Sequence, residues 1–205
     1  MKAFREAYDA GSIVRSHLFR CTWQLVAAKD YRWMLSLCAD KNRTAIRGYL
    51  LYCGRRIEEW EYERANDLIR RSLEGKGSVP KDALLQSLEE QGLVDNAHVM
   101  SIYLRRAESD GIICNGLLDD RQNTYALVDD RIPQAPDMLR EEALALLARK
   151  YFLSHAPATL EDFVWWSNLN VGECRAALYL ISQRYKFESE SQRIKTNPWV
   201  KVGCI

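Results

Sequence analysis

Three groups of polar side chains recur at spacings that suit contact with a nucleic acid. Between Asn96 and Ser109, His98, Ser101, Arg105 and Glu108 return every three or four residues, opposite Val99, Ile102, Tyr103 and Ala107. On a helix that spacing collects the first set on one side and the second on the other. Arg106, next to Arg105, adds a second guanidinium that could meet phosphates or guanine. A later stretch repeats the pattern, with Gly172, Arg175, Tyr179 and Ser182 opposite Cys174, Ala177, Leu178 and Ile181. The third group is Arg15, His17 and Arg20, potential cations on a short β-rich stretch. Any one of these is also what a solvated face looks like; it is the matching placement of the two helical stripes that favours a contact surface.

Other chemistries lack their residues. His17, His98 and His155 lie far from one another and from any cysteine cluster, so no zinc-ligand spacing is present and no metal or cofactor is expected. There is no Gly-x-Ser-x-Gly elbow, Walker loop or dinucleotide fingerprint, and Gly75-Lys76-Gly77 reads as a turn. The acid pairs Glu58-Glu59, Asp129-Asp130 and Glu141-Glu142 point apart along their segments and read as solvated. Trp165 and Trp166 could stack a base, but Trp166 is assigned to the core. Lys41, Arg43, Arg47, Arg55 and Arg56 form a second-tier basic flank, whereas Asp119 and Asp120 beside Arg121 would repel a phosphate backbone.

The elements that must position these residues follow from periodicity and caps. Ala3 to Ala10 reads as a helix end with Gly11 after it, and Ile13–Phe19 with Thr22–Val26 as a β-hairpin. Lys29 to about Gly54 is predicted as two helices broken near Asp40. A helix over Ile57–Leu73 is followed by one that Ser78 caps and Gly92 stops, then by one capped at Asp95 or Asn96 that runs to about Ser109. Ile112–Cys114 and Thr124–Val128 then read as two strands. After Pro133 and Pro136 the order restarts: a helix over Met138–Leu153, one with a Thr159/Asp162 capping box, one from about Val171 to Gln183, and a strand over Tyr185–Ser189.

Three helices followed by a hairpin make a winged helix, whose last helix can enter a major groove while the hairpin follows the backbone. The fold class predicted is therefore mainly α with small β-hairpin wings, arranged as tandem winged-helix (helix-turn-helix) units. The boundaries are 1–28 for the rear of a first winged helix, 29–56 for a helical connector, 57–132 for a second winged helix and 137–205 for a third, incomplete one. Lys and Arg total 29 against 28 Asp and Glu, a formal net charge of +1, so attraction to DNA must come from a local face. Scattered cysteines and a start without a secretory leader point to a reducing cytoplasm, and no apolar run approaches the roughly 20 residues of a membrane span.

The stretch from Gly11 to Leu35, GSIVRSHLFRCTWQLVAAKDYRWML, resembles the signature block of a bacterial tandem winged-helix family that includes DNA glycosylases for alkylated bases and interstrand crosslinks. Ala158–Leu169 (ATLEDFVWWSNL) with Val171–Leu178 is similar to the helix-turn-helix of that family's third unit. The resemblance implies double-stranded DNA as partner. It also implies a catalytic Gln-x-Gln or Gln-x-Asp motif upstream of the first block, and none of this chain's glutamines has Gln or Asp two residues later. The family's usual His is replaced by Gln24.

The leading expectation is accordingly a winged-helix DNA-binding protein or fragment without a catalytic motif of its own, leaning away from an enzyme, with no catalytic residue assigned. DNA contacts are expected from Arg15, His17, Arg20, His98, Ser101, Arg105, Arg106, Arg175 and Tyr179. One alternative is the rear portion of a DNA glycosylase that holds the duplex during removal of a damaged base. Another is a protein-interaction module, which the near-neutral charge also suits.

Overall fold

The computed structural model describes residues 2–93 and 95–191, with the side chains of Ala97 and 184–191 left aside. The described chain is mainly helical with two small antiparallel sheets. It divides into two compact units, Met1–Pro136 and Asp137–Ile205.

In the first unit, helix α1 (Lys2–Asp9) leads into a hairpin of β1 (Ile13–His17) and β2 (Trp23–Ala27). Gly11 between them has φ +75°, and a Cβ there would stand 3.1 Å from the Arg131 carbonyl oxygen, so both backbone and space call for glycine. A one-turn 3-10 helix (Phe19–Cys21) forms the hairpin tip, where Arg20 and Cys21 both have positive φ, 62° and 53°. Buried Asn42 holds that tip: its amide donates to the Leu18 carbonyl (2.8 Å) and its oxygen accepts the Cys21 N–H (3.0 Å).

Asn42 sits on α2 (Ala28–Tyr52), one continuous helix rather than the two expected. Asp40 does not break it, because Arg43 pairs with its carboxylate (2.5 Å) and Thr44 donates to its carbonyl (2.9 Å), both at helical spacing. Next come α3 (Glu59–Leu73), β3 (Val79–Pro80), α4 (Lys81–Glu90) and α5 (Ala97–Ser109). Glu58 and Glu61 close a capping box on α3 that the sequence reading did not single out. The N-cap position of α4 falls on Pro80 rather than Ser78, with no side-chain capping bond. β4 (Ile113–Asn115), β5 (Thr124–Leu127) and a single turn, α6 (Val128–Arg131), complete the unit. β5 pairs with β4 and also with β3, a third strand formed by the chain just ahead of α4. The core of the unit gathers Ile69, Leu73, Leu84, Leu88, Ile102, Leu104 and Ile113, each at most 1 % exposed. At about 1.5–3 kcal/mol for each such side chain, this cluster fixes the frame on which α5 and the hairpin are held.

The second unit comprises α7 (Arg140–His155), α8 (Leu160–Ser167) and α9 (Val171–Ser191). Thr159 caps α8 as expected: its hydroxyl accepts the Asp162 N–H (3.2 Å) and the Asp162 carboxylate accepts the Thr159 N–H (2.8 Å). Asn170 and Glu173 repeat the device at α9, with the Asn170 side chain accepting the Glu173 N–H at 2.8 Å. Tyr185–Ser189, expected as a wing strand, continues α9 instead. Its alternating pattern had no neighbouring strand to pair with among the described residues, so the helical hydrogen-bond ladder prevails. Trp166 is only half-buried, beside Tyr151 at 5.1 Å, while Phe163 is fully enclosed.

Candidate nucleic-acid interface

Helix α5 begins where the Asn96 side chain accepts the N–H groups of His98 and Val99, each at 3.1 Å. With Val99, Ile102, Tyr103 and Ala107 buried, the outward side is left to His98, Ser101 and Arg105. His98 is exposed and its ring lies 5.5 Å from that of Tyr49 on α2. Ser101 accepts from the Lys81 ammonium at the start of α4 (3.1 Å). Arg105 is half-buried, with an Nε that finds no partner.

Glu108 departs from the outward stripe drawn for it. It is 0 % exposed, because β1 lies across the last turn of α5 and sets His17 Nδ1 against its carboxylate. Arg106 also turns inward, 8 % exposed: its Nε donates to Asp110 (2.9 Å), a terminal nitrogen pairs with Glu59, and the guanidinium lies 4.5 Å from the Tyr62 ring centre. Those partners satisfy it within the fold, clamping α5 to α3.

On the hairpin, Arg15 donates to the Asn115 oxygen (3.1 Å) and to the Asn123 oxygen (2.6 Å) and covers the Trp23 ring at 4.3 Å. All three partners are neutral, so they orient the guanidinium without cancelling its charge. Arg20 is exposed at the tip. Arg15, His17, Ser101 and Arg105 thus come together on one face with Lys81, Trp23, Asn115 and Asn123, none of which the sequence reading singled out. An aromatic within a cationic hairpin was the only local signal for Trp23; the other three depend on contacts distant in the chain.

Of the two acids expected to oppose DNA, Asp120 is paired with a cation and Asp119 keeps its charge. Asp119 accepts the N–H groups of Arg121 (2.7 Å) and Gln122 (3.0 Å), and these backbone bonds hold its carboxyl below the usual range. Asp120 pairs with Arg5. Much of the second-tier basic flank is also engaged: Arg43 with Asp40 and Asp110, Arg55 with Asp95, Arg56 with Glu58. In the second unit, Arg175 and Tyr179 are both exposed on α9.

Among the described residues no three His, Cys, Asp or Glu side chains are grouped to hold a metal ion. No described helix is long and apolar enough to cross a membrane.

A family model described as DNA glycosylase AlkZ-like matches residues 2–193. The chain belongs to the AlkZ-like DNA glycosylase family. Among solved structures, AlkZ-type DNA glycosylase from Streptomyces sahachiroi superposes with a TM-score of 0.64 at 18% identity, over 86% of this chain and 50% of that one. The likeness is one of fold, and this chain spans about half the length of the Streptomyces protein. No curated protein sequence matches it. The family match corrects the leading expectation of a DNA-binding module outside catalysis: the AlkZ-like family is one of glycosylases, and the matching solved structure is a glycosylase.

Proposed function

We propose that this chain takes part in excising a damaged base from double-stranded DNA, and that the β1–β2 hairpin with the outward side of α5 is the surface that holds the duplex. Membership of the AlkZ-like glycosylase family over residues 2–193 carries the reading. The arrangement of charge supports it: Arg15, Arg20, Lys81 and Arg105 stand on a face where the buried acid Glu108 is met by His17. A local cationic face is what a chain of net charge +1 needs to engage phosphates.

Within this proposal residues 57–132 are a winged helix, with α5 as its groove-facing helix and β3, β4 and β5 as its sheet. Residues 1–28 supply the wing of a first unit, 29–56 the connector, and 137–205 a third unit contacting DNA through Arg175 and Tyr179. Arg106 contributes by fixing the angle of α5 rather than by touching DNA.

The test is to incubate the protein with a duplex carrying N7-methylguanine and follow free base by chromatography, alongside an anisotropy titration at two salt concentrations. Release of the methylated base, with duplex affinity that falls steeply as salt rises, is the expected result. Tight salt-dependent binding with no base released from any alkylated duplex would sink the excision reading.

A further inference from the structure

His17 and Glu108 lie 91 residues apart in the chain and meet inside the candidate interface. The Glu108 side chain is 1% exposed and that of His17 12%. Only Oε2 of Glu108 is engaged, by His17 Nδ1, while Oε1 has no partner. The same Nδ1 lies 2.8 Å from the indole N–H of Trp23. One ring nitrogen carries either a proton or a lone pair, so it cannot donate to Glu108 and accept from Trp23 together. Burial decides between them. An ionised carboxylate left unpaired in the interior costs several kcal/mol, whereas Trp23, 42% exposed, can give its N–H to water. The proton therefore sits on Nδ1, directed at Glu108, and no described residue hydrogen-bonds to Nε2.

The other titratable groups around the pair are Cys21 on the tip, Tyr31 on α2, Cys114 on β4 and Tyr125 on β5. Burial raises all four, Cys114 to about 12, so they are uncharged at neutral pH. The charges that remain are Glu108, Arg105 beside it on α5, and Arg15 over Trp23. A buried carboxylate that orients an imidazole, whose far nitrogen is left open, is the arrangement by which proteins hold a general base.

We propose that His17, positioned by Glu108, is the general base of the excision reaction: Nε2 takes a proton from water as the water oxygen bonds to C1′ of the damaged nucleotide. The C1′–N bond breaks and its electron pair leaves with the base. An N7-alkylated purine is cationic while attached, so that pair leaves it neutral and no acid is required. The imidazolium formed is stabilised by Glu108 and returns its proton to solvent.

This inference rests on the base-excision reading, and one experiment separates the two. Single-turnover release of N7-methylguanine is followed across about pH 5 to 9 for the wild type, His17→Gln and Glu108→Gln, with thermal unfolding and duplex affinity measured in parallel. His17→Gln should slow release by about 100-fold or more, a loss well beyond any it causes in duplex affinity, and abolish the acidic limb of the rate profile. Glu108→Gln should move that limb to lower pH, which a merely structural role would not do. Nitrogen-15 NMR of the wild type should show His17 protonated at Nδ1 at neutral pH, and needs no variant to fold. Release by His17→Gln at the wild-type rate, or a His17 protonated at Nε2 alone, would overturn the proposal and leave base excision standing. A wild type that releases no base would overturn both.

Discussion

Adjacent arginines on α5 have opposite fates. Arg105 faces the candidate interface, and Arg106 is enclosed by Glu59, Asp110 and Tyr62. Arg106→Ala is therefore expected to destabilise the fold by about 2–3 kcal/mol, because it removes charged hydrogen bonds and leaves Asp110, shared with Arg43 and Asn66, short of a partner. Arg15→Ala should do the reverse, lowering duplex affinity about tenfold at low salt while costing roughly 1 kcal/mol or less, since it breaks hydrogen bonds to neutral amides. Urea unfolding and anisotropy on both variants measure this contrast; equal losses of duplex affinity would contradict the assignment. The difference could not be read from the chain, because helical spacing tells which residues share a side but not which side a hairpin from far upstream will cover. The same gap hid the Glu108–His17 pair.

Local chemistry explains which elements were legible. The caps at Asn96 and Thr159 involve partners two or three residues away, so the sequence alone locates the starts of α5 and α8. The β1–β2 hairpin and the β4–β5 pair were legible in the same way, from short β-branched runs around turns. β3 was not, since two residues acquire strand character only by pairing with β5, more than forty positions later. The α8 box also makes a prediction about acid. Hydrogen bonds from the Thr159 backbone and hydroxyl hold the Asp162 carboxyl below its ordinary value. A depressed folded value means the stabilisation is complete above the unfolded value and is lost as pH falls through the folded one. The start of α8 should therefore loosen below about pH 4, read as faster amide exchange, and Asp162→Asn should remove that pH dependence. An unchanged acid profile in the variant would show the box to be unimportant.

For the molecule as a whole, the division after Pro136 has a physical handle. Pro133–Leu139 is exposed and without secondary structure, and Leu139 is 72% exposed. Dilute chymotrypsin should cut first after Met138 or Leu139 and leave the fragment preceding it resistant, as judged by mass spectrometry. An earlier cut after Tyr52, which is 89% exposed but lies in the last turn of α2, would show that turn to be the looser place. The two prolines announced this break in the sequence. What no composition could announce is the catalytic family, because a chain balanced at 29 basic and 28 acidic residues carries no global sign of its partner.

The hairpin tip has a kinetic consequence. Arg20 and Cys21 hold a left-handed backbone that side chains ordinarily avoid, at about 1–2 kcal/mol each, and Asn42 keeps them there from within α2. A tip secured in this way surrenders little conformational entropy on meeting a duplex. Encounter should then go forward in one diffusional step without a slow rearrangement, and changes in the tip's contacts should show in how long the complex lasts rather than in how fast it forms.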